Sequence, residues 1–263
     1  MGEKLYTFQE PYNRDNTSYY MIQEVTRNKD NKNFIGYVSD RSSLEYNPNC
    51  INIENLIEIL GSVSHPSIQE FVEVVIHQNK IIAILGHETN SYYSILENEI
   101  AIDEESARII FKQLMSAVQY LHNNSIVHLD IRPESLYFDK EKQLKLSRFF
   151  NAAYIPQNQK ITGKYGTLNY QAPEIFSGEP YDGKKADIWA CGVLLLSTLR
   201  YQNIFNGIDA EKITQKILNH EINYPPLSTE AIEMLDSMLE PDPEKRATAD
   251  AIMECAWMKK TSL

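Results

Sequence analysis

Apolar and polar positions change their period several times along this chain, and the changes mark its elements. Tyr19 to Val25 (YYMIQEV) reads as a strand, Arg27 to Asn33 as a charged turn, and Phe34 to Val38 (FIGYV) as a second strand. Ile53, Leu56, Ile57 and Leu60 fall at helical spacing, which predicts a helix from Ile53 to Val63, ended by Gly61 and His65-Pro66. Phe71 to Ile76 and Lys80 to Leu85 read as two more strands. Asp103 can cap a helix that runs to about His122, with Glu104 and Glu105 favourable in its first turn. Its core face is Ile110, Leu114, Ala117 and Leu121. Ile126 to Phe150 then reads as two short β-ribbons around the turn Leu129 to Glu134, with strands at Leu136 to Phe138 and Gln143 to Leu146. Gln157 to Tyr165 is a polar loop. Asp187 to Leu199 is a buried helix, and Ala210 to Leu218, Thr229 to Leu239 and Ala249 to Trp257 are amphipathic helices. Residues 1–18 carry no periodicity, and there is no internal repeat, low-complexity tract or flexible linker.

Charge narrows the partners. The chain has 263 residues with Lys plus Arg 25 and Asp plus Glu 36, a formal charge of −11. Nucleic acid and anionic membrane both need clustered positive charge, so neither is expected as a partner. Cys50, Cys191 and Cys255 are scattered, which suits a reducing compartment and gives no metal-ligand spacing. The N-terminus has no apolar core for a signal peptide, and Tyr6 stands where a myristoylation motif at Gly2 wants Ser or Thr. The apolar run Ile188 to Leu196 is too short for a bilayer that needs ~20 helical residues. A cytoplasmic location is the expectation.

The turn at His128-Leu129-Asp130-Ile131-Arg132-Pro133-Glu134-Ser135 resembles the catalytic loop of the eukaryotic protein kinases. Ser147-Arg148-Phe149-Phe150 falls where that family has Asp-Phe-Gly. Gly166-Thr167 with Tyr170-Gln171-Ala172-Pro173-Glu174 resembles the end of an activation segment. Asp187-Ile188-Trp189-Ala190-Cys191-Gly192 resembles the start of the central helix of the large lobe, and Asp242 to Thr248 the turn before the last helix. Arg132, at the usual lysine of serine/threonine kinases, places the likeness in that branch, in its calcium/calmodulin-dependent group. The resemblance implies an α+β, two-lobed protein kinase-like fold over residues 19–258. Its small antiparallel lobe with one helix would span 19–86, its mainly helical large lobe 87–258, and an N-terminal extension 1–18. Gly86-His87-Glu88 would be the hinge.

Within those motifs the chemistry is altered. Between Gly2 and Gly36 there is no glycine for a phosphate loop, and between Lys32 and Lys80 no lysine. Val38 aligns with the family's lysine and Leu56 with its glutamate partner. Ser135 and Arg148 stand at the two metal-ligand positions, where a hydroxyl is a poor ligand and a guanidinium repels the cation. Of the reacting groups only Asp130, the proton acceptor, is kept, and an Asp130–Arg148 ion pair across the cleft is expected. Tyr137 is expected to fill the space below an adenine ring. Leu129 replaces the arginine that grips a phosphorylated segment, and Phe150 replaces the glycine that lets the segment swing. The structural positions are retained: Leu60, Phe71, His128 and Phe149 as an internal column on Asp187, and Glu174 with Arg246 as a buried ion pair.

The resemblance with these departures implies a pseudokinase, a scaffold or allosteric partner of another protein such as an active kinase, with no cofactor. The alternatives are an atypical active serine/threonine kinase using ATP and magnesium through Asp130, and a metal-free nucleotide sensor using Arg148 and Tyr137.

Overall fold

The computed structural model describes residues 5–11, 21–40, 53–97, 102–157, 159–200, 204–207 and 209–260. Gly2, Tyr19 and Cys50 lie outside the described residues. Strands β1 (Tyr6–Phe8), β2 (Met21–Arg27), β3 (Lys32–Asp40), β4 (Phe71–His77) and β5 (Lys80–Gly86) form one antiparallel sheet in the order β1-β2-β3-β5-β4. The sheet curls until its two edges meet. The Tyr6 hydroxyl donates to Glu73 Oε1 at 2.5 Å, and the Phe8 ring stacks on His77 at 4.5 Å. The curl encloses a core of Tyr6, Val25, Phe34, Val38, Val75, Ile82 and Ile84.

The other face of the sheet packs on α1 (Ile53–Ser62). Ile22, Ile35, Tyr37, Ala83 and Leu85 join Leu56, Ile59 and Leu60 in a second core, which continues without a break into the large lobe. Interior strand β3 is therefore buried on both faces, and its apolar run does not alternate.

Past Gly86 come β6 (Asn90–Ser91), α2 (Tyr92–Glu97), α3 (Glu104–Asn123), β7 (Ile126–Val127), β8 (Leu136–Phe138), β9 (Leu144–Leu146) and β10 (Ala153–Tyr154). The helices α4 (Gly183–Arg200), α5 (Ala210–Leu218), α6 (Thr229–Met238), α7 (Ala249–Glu254) and α8 (Ala256–Lys259) complete the second lobe. Asp103 caps α3 as expected, its carboxylate accepting from Ser106 N at 2.8 Å. Helix α4 is buried all round, as its apolar sequence requires. Among the described residues no helix is long and apolar enough to cross a membrane.

The structure adds β6, α2 and β10 to the expected elements and differs from them at three further places. Tyr6–Phe8, placed in the aperiodic extension, is a sheet strand paired with β2, so the small lobe begins ahead of residue 19. Helix α4 starts at Gly183, ahead of Asp187. The last amphipathic segment breaks at Cys255, whose extended backbone (φ −68°, ψ 160°) separates α7 from α8.

Candidate functional site

Asp187, on α4 and 1 % exposed, organises the loop beneath the cleft. Its carboxylate accepts from His128 N and Leu129 N, both at 2.8 Å, and from His122 Nε2 at 3.0 Å. These bonds pin a strained turn. Leu129 has φ 62° and Arg148, on the facing segment, φ 63°. A side chain in that left-handed region costs about 1–2 kcal/mol, and such strain persists only where neighbours over-determine it. Gly166 completes the turn: at φ 83°, its missing Cβ would lie 2.4 Å from the Leu129 carbonyl oxygen.

Asp130 projects from this loop. Its Oδ1 accepts from Thr167 N at 3.0 Å and Thr167 Oγ1 at 2.9 Å, and its Oδ2 lies 3.5 Å from Arg132 Nε. Arg132 also approaches Glu134 Oε1, at 3.7 Å. The expected Asp130–Arg148 pair is not formed; Arg132, two residues along the loop, and Thr167, brought in from a distant turn, hold the carboxylate instead. His128 is fully buried, and burial holds its ring below the ordinary pKa even beside Asp187. A neutral ring fits its contacts. Nε2 donates to Ser147 O at 2.9 Å, and Nδ1 accepts from Asp130 N at 3.3 Å.

The two positions compared with metal ligands are linked through Ser147, whose N donates to Ser135 O at 2.8 Å. Ser135 is fully buried, and its hydroxyl donates to Arg132 O at 2.8 Å and accepts from Arg132 N at 3.1 Å. Arg148 is 5 % exposed.

The cleft wall differs from expectation by one residue in β3. Val38 points into the small-lobe core with Val75 and Ile82, away from the cleft. Tyr37 is the side chain that faces α1, in the same core as Leu56. Its hydroxyl donates to Glu88 Oε1 of the hinge at 3.0 Å, and its ring meets Phe150 edge-on at 4.8 Å. Tyr137, expected to fill this space, does not touch the Tyr37 ring as Phe150 does. It is 3 % exposed and borders a pocket on the outer side of the hinge with Gly86, His87 and Thr89. The polar plug of Tyr37 and Glu88 escaped the sequence reading; its one signal was Tyr37, the one side chain with a polar tip in the run Phe34 to Val38.

The bracing positions come together. Leu60, His128 and Phe149 are buried in one core with Phe71 packed against it, and the His128 and Phe149 rings meet edge-on at 4.8 Å. Arg246, 1 % exposed, grips Glu174 with both terminal nitrogens, at 2.6 and 2.9 Å. It also lies 5.1 Å from the Trp189 ring centroid.

Comparison with known proteins agrees with this geometry. A family model described as protein kinase domain matches residues 22–258. CBL-interacting serine/threonine-protein kinase 3 of Arabidopsis thaliana is 33 % identical over 213 residues, covering 79 % of this chain and 48 % of that protein. CBL-interacting protein kinase 32 of Oryza sativa is 34 % identical over 214 residues, 79 % of this chain and 49 % of that protein. Sperm motility kinase 2B of Mus musculus is 30 % identical over 215 residues, with 81 % and 44 % covered. The chain spans about half the length of the curated relatives it matches.

Proposed function

The chain belongs to the protein kinase family, of the serine/threonine type, and we propose that its domain is a pseudokinase that works by binding another protein. The observation that carries this reading is the plug of Tyr37, Glu88 and Phe150 between the lobes. A tyrosine ring and a hinge carboxylate take the space in which the family holds its nucleotide.

The remaining residues fit a magnesium–nucleotide complex poorly. The Ser135 hydroxyl is engaged by the Arg132 backbone, and a guanidinium stands at the second ligand position. Magnesium takes oxygen ligands in near-octahedral geometry, and nucleotide phosphates are ordinarily cradled by glycine-rich backbone that this chain lacks. Asp130, the one reacting group kept, is tied to Thr167 and Arg132. The apolar core that joins the lobes contains none of these groups. A domain that stays folded without its reaction chemistry is suited to presenting α1 or the large-lobe helices to a partner kinase.

Thermal unfolding with ATP, with and without magnesium, tests the reading. No change in melting temperature in either condition is expected, since only a ligand that binds the folded state shifts it. A shift without magnesium would instead favour a nucleotide sensor. Magnesium-dependent autophosphorylation that disappears in Asp130→Ala would overturn the proposal in favour of an active kinase.

A further inference from the structure

The hinge has two sides, and only one is plugged. On the outer side, Gly86, His87 and Thr89 border an open pocket of about 190 Å³. Tyr137 and Phe34 are its buried walls, at 3 % and 2 % exposure. Three features make it a binding site and not a surface dent.

The first is the Tyr137 hydroxyl, which makes no hydrogen bond among the described residues. Its ring is enclosed while the hydroxyl still reaches solvent, so the phenol is free to meet a ligand in the pocket it lines. Burial, helped by Glu88, Asp139 and Glu70, pushes its pKa up, so it stays a neutral group able both to donate and to accept. The second is charge balance. The lining carries Lys32, Lys140 and Lys145 against Glu70, Asp139 and Glu141. A ligand of one sign would leave like charges facing it, whereas a neutral ligand carrying both signs meets a counter-charge at each end. The third is that these charges are not all used internally. Lys145 lies 3.4 Å from Asp139 and donates to Pro66 O at 2.6 Å. Glu70, Glu141 and Lys140 have no ion-pair partner among the described residues.

We propose that this outer hinge pocket binds a free amino acid as its zwitterion, with the ammonium at Glu70 or Glu141, the carboxylate at Lys140, and Tyr137 hydrogen-bonded to the ligand. The volume suits a ligand of that size. The site sits against the segment whose Glu88 side chain closes the cleft, so occupancy is felt at the plug. This inference does not rest on the pseudokinase reading, because none of the plug residues Tyr37, Glu88 and Phe150 lines the pocket.

The test is NMR titration of the whole chain with L-phenylalanine and L-glutamine, followed at the backbone amides of Gly86, His87 and Thr89. The expected result is saturable shifts with a Kd of about 0.1–1 mM, the range for a ligand of about a dozen heavy atoms. Phenethylamine and 3-phenylpropionate, each carrying one of the two charges, should bind about tenfold more weakly. Tyr137→Phe and Glu70→Gln, in proteins whose spectra are otherwise unchanged, should each weaken L-phenylalanine about five- to tenfold. No hinge shifts at about 10 mM, well above that Kd range, would overturn the proposal. So would equal binding of all three phenyl compounds, or titrations that neither substitution alters.

Discussion

The Tyr37 hydroxyl and the Glu88 carboxylate meet inside the protein, where a lost partner is not readily replaced by water. Tyr37→Phe keeps the ring against Phe150 and removes only the donor. It should cost about 1.5–3 kcal/mol, the usual net contribution of a hydrogen bond to a carboxylate. A lower urea midpoint at unchanged slope would register it; an unchanged midpoint would mean the bond contributes nothing to closure. Arg246 makes a harsher demand, because its guanidinium is buried and gripped on two nitrogens by Glu174. Arg246→Ala strands the carboxylate and should cost about 3–5 kcal/mol. Arg246→Lys retains the charge but loses the planar fork and the approach to Trp189, so it should rescue only part of that loss in the same denaturation measurement.

Glu104 shows how one side chain joins elements far apart in sequence. From the first turn of α3 its carboxylate accepts from Ser228 N at 3.0 Å and Ser228 Oγ at 2.5 Å, at the start of α6, and from Trp257 Nε1 of α8 at 2.9 Å. Burial alone would raise its pKa, but the bonds from Ser228 and Trp257 hold it below the ordinary 4.5. A carboxyl depressed in the folded state contributes stability that is complete above its unfolded value and is lost as pH falls through the folded one. Unfolding free energy should therefore drop below about pH 4.5, and Glu104→Gln should flatten that part of the profile. An identical acid limb in the variant would rule the clasp out. The same elements show what a sequence reveals. Helix α3 was legible end to end because its cap, its acidic first turn and its apolar stripe agree. Strand β3 was legible as a strand but not in its facing. Phe34, Ile35, Tyr37 and Val38 are all buried, two toward each core, so no polar position marks a side and a one-residue slip exchanges Val38 for Tyr37. Strand β1 is too short to show a period, and its register is set by β2. The Asp130 partners were misassigned for another reason: Thr167 arrives from a distant turn, held there by Gly166, and only the folded chain brings them together.

At the scale of the whole molecule, the lobes are joined by a shared core more than by the hinge. One apolar cluster runs from Ile35 and Leu85 in the sheet through Leu56 and Leu60 to Phe149, then into α3 and α4. The core private to the small lobe is a handful of side chains inside the curl, and a core of that size gives a small domain little independent stability. Bound nucleotide, which could otherwise link the lobes, is not needed if packing already does so. The lobes should therefore unfold together. Phe149→Ala, at the centre of the shared cluster, should cost about 3–5 kcal/mol. Hydrogen exchange at increasing urea should show β3, β5 and α4 losing protection over the same range in both the native protein and the variant. Strands β3 and β5 opening while α4 stays protected would show two separate folding units. The closed cleft would then depend on the Tyr37–Glu88 bond and the Phe150 contact more than on the shared core.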